Sequence, residues 1–125
     1  MNEYNFEKIS EEEAFANAYY YFLEALTVLS DDVDSQCKAM GNFNVAWELK
    51  DEISRGSYLL NMPKGKLSAK ERNGITELIK AINGIPDSVL IAADTEDANK
   101  KAMKNHCWVS LREEAKKLLK VLQPI

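Results

Sequence analysis

The sequence predicts an all-α fold, a single compact bundle of five to six helices. Apolar residues recur at intervals of three and four along most of the 125 residues, which is the spacing of one face of an α-helix. Polar capping residues precede several of these stretches, and the connections between them are short. A chain of this length can bury a core of its own, so we take residues 1–125 as one helical domain.

The first half of the chain predicts two helices, followed by a change in pattern. Ser10 and Glu13 form a capping box, which predicts helix one at about residues 11–29. Ser30-Asp31-Asp32 can cap a second helix, with Val33, Cys37 and Met40 on one face. Gly41-Asn42 then indicates a helix end or a kink, because the apolar spacing changes phase there. The shifted stripe contains Phe43, Ala46, Leu49, Ile53 and Leu60.

The second half begins with another capping box, Ser68 with Glu71, and its helix ends near Gly84. Residues 89–93 predict either a short helix or a buried strand, and we favour the helix because one strand would have no partner. Asp94 or Thr95 can cap a last helix at about 95–122. A helix of that length would span about 42 Å at about 1.5 Å per residue.

Several classes of protein are excluded or disfavoured. The longest purely apolar run, residues 89–93, is far shorter than the roughly 20 residues of a membrane helix. The first residues lack the basic and apolar segments of a signal peptide. Cys37 and Cys107 are expected to be reduced thiols, with a disulfide between them as the alternative. We therefore expect a cytoplasmic protein.

Charge is distributed unevenly along the chain. Residues 1–34 contain nine acidic residues and one basic residue, whereas residues 100–125 contain seven basic and two acidic ones, within a net charge of −4. One interpretation is that neighbouring helices neutralise each other. The other is that the acidic segment forms one outward surface that meets a basic partner and accelerates association. The overall acidity disfavours direct binding of nucleic acid.

No complete active-site motif is present. His106 has Met103 three positions before it, so the Glu-x-x-His motif of metal-binding bundles is missing, and we expect no metal and no cofactor. Glu48, Asp51 and Glu52 resemble half of the metal-binding carboxylate pattern of all-α nucleotide pyrophosphohydrolases. They could hold Mg²⁺, or they could form an ordinary solvated helix face.

Aromatic residues offer a second type of candidate site. Tyr20 and Tyr21 lie off the apolar stripe of helix one, so they are candidates for contact with a partner if that helix lies at the surface. The alternative is that helix one is central and buried on several sides. Asn42, Phe43 and Trp47, near the change of phase, form another candidate patch.

In size, helix content and acidity, the chain resembles the all-helical immunity proteins of bacterial contact-dependent growth inhibition systems. The capped acidic stretch from Ser10 to Asp34 is the part most similar to them. The resemblance implies a non-enzymatic protein that neutralises a toxin domain, often a basic nuclease, by covering its active site or substrate groove. The candidate partner-binding residues are Glu11, Glu12, Glu13, Tyr20, Asp31, Asp32 and Asp34.

Two alternatives remain at this stage. One is the Mg²⁺-dependent pyrophosphohydrolase, and the other is a helical chaperone or adaptor that holds a partner's helix in a groove. The sequence leaves the partner, the binding face and the oligomeric state undetermined.

Overall fold

The computed structural model describes residues 10–62, 66–90 and 94–122. These ranges fold into an all-α bundle without strands, which confirms the predicted fold class. Six helices have seven residues or more, and a seventh is a single turn. In chain order they are α1 (Glu11–Leu29), α2 (Val33–Ala39), α3 (Val45–Ser54), α4 (Ser57–Leu60), α5 (Ala69–Asn83), α6 (Glu96–Met103) and α7 (Cys107–Val121).

The two predicted capping boxes are confirmed. At the start of α1, the Ser10 hydroxyl accepts a hydrogen bond from the Glu13 backbone N–H at 3.0 Å, and the Glu13 carboxylate accepts from the Ser10 N–H at 3.3 Å. Ser68 and Glu71 make the same pair of bonds at α5, at 3.1 and 2.7 Å. Such boxes satisfy N–H groups that lack a partner within the helix, so these helices begin where the sequence predicts.

The core is formed mainly where α1, α3, α5 and α7 pack together. Helix α1 contacts α7 on one side and α3 on another, and α5 packs against both α3 and α7. Trp108, at the start of α7, is the largest fully buried side chain. Helix α1 is therefore central, yet it keeps an exposed strip that includes Tyr20 and Tyr21.

The change of phase after α2 is a loop in left-handed backbone conformation. Gly41, Asn42 and Asn44 have φ values of 72°, 55° and 48°, a region that glycine and asparagine adopt most readily. The buried Asn99 side chain of α6 holds this loop by accepting from the Val45 N–H at 2.8 Å and donating to the Asn42 carbonyl at 2.7 Å. The loop leaves Phe43 exposed, so its predicted place in the apolar stripe is wrong.

The prediction of one long C-terminal helix is also wrong. The chain turns between Met103 and Cys107 to give α6 and α7. The Asn105 side chain accepts from the Cys107 N–H at 3.0 Å, which starts α7, and Arg112 donates to the Met103 carbonyl at 3.1 Å, which closes α6. The turn lets α6 pack against α2 and α3, while α7 packs against α1 and α5.

Other predictions are settled only for the described residues. Thr95 is the cap of α6, as expected, because its hydroxyl accepts from the Ala98 N–H at 3.1 Å. Asp87–Val89 form one 3-10 turn, and residues 91–93 of the predicted short helix lie outside the described ranges. Both cysteines are free thiols, and burial raises the pKa of each. Among the described helices, none combines the length and the apolar composition that a membrane crossing requires.

Candidate functional site

The acidic candidates do not form one continuous surface. Glu11, Glu12 and Glu13 lie in the first turn of α1, whereas Asp31, Asp32 and Asp34 lie around its C-terminal end and the start of α2. The two groups lie at opposite ends of this 19-residue helix, which is about 28 Å long at about 1.5 Å per residue. The acidic segment therefore places charge at both ends of α1 and does not concentrate it on one patch.

Several of these carboxylates already have partners in the chain. Glu12 lies 3.6 Å from the Lys66 ammonium, and Asp34 lies 3.5 Å from that of Lys100. Asp32 caps α2 by accepting from the Ser35 N–H at 2.8 Å, and this bond lowers the pKa of Asp32. The carboxylates of Glu12 and Asp34 are mostly exposed to solvent, so these ion pairs hold the side chains weakly.

A groove lined by residues of α1, α3 and α4 is a concave feature of the described surface. It encloses about 360 Å³ and continues into a shallower hollow towards Val28 and Met40. Glu24 and Glu52 line both parts, so they stand near the middle of the whole depression. We call it the α1–α3 groove and define it by Tyr21, Phe22, Glu24, Val28, Met40, Glu52, Arg55, Gly56 and Tyr58.

The local sequence explains the shape of the α1–α3 groove. Tyr21, Glu24 and Val28 recur at three and four along α1, so they form a stripe beside the buried one. Gly56, between α3 and α4, lets the chain pass close to Phe22. A Cβ atom at that glycine would lie 2.5 Å from Cε1 of the Phe22 ring. Tyr21 and Tyr58 remain 67% and 63% exposed, although each lines the groove.

The groove is electrostatically negative at its centre. Burial, followed by the charge of Glu48, raises the pKa of Glu52, and the charge of Glu24 acts in the same direction. Arg55 opposes this effect, but its guanidinium forms an ion pair with Asp51 at 2.8 Å. Within the described ranges, Glu24 and Glu52 form no ion pair with a lysine or an arginine.

Among the candidate partner-binding residues, Tyr20 is connected to the groove through Glu24, which lines it. Its hydroxyl donates to the Glu24 carboxylate at 3.0 Å, and this bond raises the pKa of Tyr20. The Tyr20 and Tyr21 rings meet edge to face with their centres 5.4 Å apart. Tyr20, Tyr21 and Glu24 thus form a continuous cluster in which two aromatic rings lie next to a carboxylate.

A second exposed aromatic patch lies on the other side of α3. Phe43 and Trp47 are about half exposed, and Trp47 borders a hollow with Lys50, Asp51 and Leu90. The Trp47 patch is more open and carries charges of both signs.

The carboxylates considered for Mg²⁺ binding face different directions. Glu52 lines the α1–α3 groove, whereas Asp51 pairs with Arg55 and borders the hollow beside Trp47. In the parts of the chain that the structure describes, no group of three histidine, cysteine or acidic side chains is arranged to hold a metal ion. His106 is exposed at the start of α7.

Sequence reasoning missed Glu24, Glu52 and Tyr58 as members of one site. They come from three helices, and only the packing of α1 against α3 and α4 brings them together. The sequence did contain one indication of this site, because Tyr20, Tyr21 and Glu24 lie next to one another on α1, outside its apolar stripe.

These features define an all-α protein with an acidic, aromatic groove on its surface. Comparisons with protein-family models, with curated proteins and with solved structures give no significant match.

Proposed function

We propose that this chain is a non-enzymatic immunity protein of the contact-dependent growth inhibition type, which binds and neutralises a basic toxin domain. The observation that carries the proposal is the α1–α3 groove, where exposed tyrosines flank carboxylates without a cationic partner among the described residues. Tyrosine is enriched among the residues that dominate binding energy at protein interfaces. The negative centre favours a positively charged partner.

A nuclease toxin fits this surface because an enzyme that binds phosphate must carry positive charge in its substrate groove. The acidic immunity protein would occupy that groove and exclude the nucleic acid. The carboxylates at the two ends of α1 would attract the partner over a distance, and the tyrosines would supply the close apolar contact. Binding would take place in the cytoplasm of the producing cell and would require no cofactor.

The proposal predicts that a gene for a large effector with a basic nuclease domain lies beside this one, and the test uses that domain. Purified protein should inhibit cleavage of nucleic acid by that domain at a one-to-one ratio. Isothermal titration calorimetry should give the same stoichiometry. Failure of excess protein to inhibit the nuclease, together with no measurable heat of binding, would reject the proposal. Mg²⁺-dependent release of pyrophosphate from nucleotides by the purified chain would instead support the enzyme alternative.

A pair of alanine variants links the function to the surface. Tyr58→Ala removes an exposed groove aromatic, and Val109→Ala removes an apolar side chain of comparable exposure on α7. We expect Tyr58→Ala to weaken binding by about tenfold or more, as for a residue central to an interface, and Val109→Ala by less than about twofold. Equal affinities for the two variants would place the interface elsewhere.

A further inference from the structure

We propose that the α1–α3 groove is a receptor for one arginine side chain of the protein partner, with the guanidinium between Tyr21 and Tyr58 and its charge neutralised by Glu24 and Glu52. This inference deepens the proposed function and rests on it for the identity of the partner as a basic protein. It adds the chemical group that the groove recognises.

The first argument is charge complementarity. Glu24 and Glu52 line the same depression from α1 and α3, and within the described ranges neither forms an ion pair. Glu48 adds further negative charge next to Glu52. A cation that entered here would neutralise carboxylates that now repel each other, so its binding is favoured by more than a single surface pair provides.

The second argument concerns the aromatic side chains that line the α1–α3 groove. Tyr21 and Tyr58 expose most of their side chains on the same groove, and Phe22 lies at its base. A guanidinium group is planar, stacks on aromatic faces and binds carboxylates through two parallel N–H groups. An ammonium group is a compact, strongly hydrated charge with less affinity for such walls. The combination of rings and two carboxylates therefore favours arginine over lysine.

The third argument is that the groove has room. The part of the groove lined by Tyr21 and Tyr58 has a volume of about 360 Å³, which is within the range of about 300–1,000 Å³ found for ligand sites. Arg55, the only cation among the described residues that line it, is held by Asp51, which borders the hollow on the other side of α3. Gly56 keeps the base free of a side chain beside Phe22.

The test is an NMR titration of the isotope-labelled protein with arginine amide, lysine amide and citrulline amide. Citrulline amide has nearly the shape of arginine amide but no charged guanidinium. We expect shift changes around Tyr21, Glu24, Glu52 and Tyr58 that saturate in the millimolar range, because so small a probe makes few contacts. Arginine amide should bind more tightly than lysine amide, and citrulline amide should cause no saturable change.

Two variants assign the response to the carboxylates. Glu24→Gln/Glu52→Gln removes both charges and should weaken arginine amide binding by about tenfold or more. Glu77→Gln, on the exposed face of α5, removes a carboxylate away from the groove and should leave the affinity unchanged. Arg55→Gln should strengthen binding, since it removes a positive charge from the lining. Shifts spread over unrelated carboxylates, equal responses to citrulline amide, or no effect of the double variant would overturn the proposal.

The two proposals can fail separately. If the nuclease domain is inhibited but the double variant inhibits it as well as the wild type does, the arginine receptor is wrong and the immunity function stands. If arginine amide binds in the groove but no nuclease domain is inhibited, the receptor stands and the proposed function is wrong.

Discussion

Glu52 is a residue at which burial and neighbouring negative charge both disfavour the ionised carboxylate. Its carboxylate is partly buried beside Glu48, so the folded chain raises its pKa. Between the unfolded and the folded pKa, the folded state holds more protons, and the free energy of unfolding therefore falls as pH rises through that interval. The ionised form is a cost to stability that a partner's cation would offset.

We therefore expect Glu52→Gln to be more stable than the wild type at pH 7. The gain should be modest, below about 1 kcal/mol, because the side chain is partly solvated. It should disappear at a pH low enough to protonate glutamate in both the folded and the unfolded states. Thermal unfolding of both proteins across this pH range measures the effect, and Glu77→Gln is the control. A stability difference that is independent of pH would show that ionisation is not its cause.

The two tryptophans lie in opposite environments. Trp47 is 50% exposed and Trp108 is 0% exposed, and the Trp108 indole N–H has no hydrogen-bond partner among the described residues. Trp108→Phe loses ring volume but no hydrogen bond, so it should cost about 1–3 kcal/mol, less than the roughly 3–5 kcal/mol of truncation to alanine. Trp47→Phe should change stability by no more than about 0.5 kcal/mol.

Urea denaturation measures these stabilities, and fluorescence tests the environments directly. In Trp47→Phe the remaining emission should be blue-shifted and protected from iodide. In Trp108→Phe it should be red-shifted and readily quenched. Equal quenching in the two variants would contradict the burial of Trp108.

At the scale of elements, the helix starts were the part that the sequence could determine. Ser10 and Ser68 act through residues three positions away, so the signal and the structure are both local. The turn between α6 and α7 was not predictable in this way. Met103 and Cys107 keep helical spacing across it, without a glycine or proline, and the hydrogen bond from the Cys107 N–H to the Asn105 side chain is a local feature of the new start.

The α1–α3 groove was even harder to predict from the sequence. Tyr20 and Tyr21 are recognisable from their positions off the apolar stripe, but Glu52 and Tyr58 become groove residues only through the packing of α1 against α3 and α4. The acidic residues were visible as a segment, yet a helix of 19 residues carries the ends of that segment far apart. Composition thus predicted the charge but not its arrangement.

Asn99 connects elements that are distant in sequence. From α6 it accepts from Val45, the first residue of α3, and donates to the Asn42 carbonyl in the left-handed loop. Asn99→Ala would leave these backbone groups without their partner, at a cost of about 2–4 kcal/mol. Asn83→Ala, which removes an exposed bond with Ser54, should cost no more than about 0.5 kcal/mol. Urea denaturation of both variants compares them, and similar midpoints would contradict this role of Asn99.

At the scale of the whole molecule, the charge at the ends of α1 and the α1–α3 groove should govern different rates. Long-range attraction acts before contact and accelerates association, whereas buried contacts slow dissociation. Neutralising Glu11, Glu12, Asp31 and Asp34 as their amides would change the net charge from −4 to 0. It would keep the capping residues Glu13 and Asp32 unchanged, so the helix starts would be preserved.

We expect this fourfold variant to associate with the nuclease domain about tenfold more slowly at low salt, with dissociation altered by less than about twofold. Glu24→Gln/Glu52→Gln should instead increase the dissociation rate and leave the association rate nearly unchanged, because loss of a contact made in the complex appears mainly in the dissociation rate. Stopped-flow measurements at about 50 and 500 mM salt distinguish an effect on the association rate from an effect on the dissociation rate. High salt should erase the association difference between the fourfold variant and the wild type, because a Debye length of about 4 Å screens exposed charges. If the fourfold variant instead dissociates faster at both salt concentrations, the ends of α1 belong to the interface itself, and the division between attraction and contact is wrong.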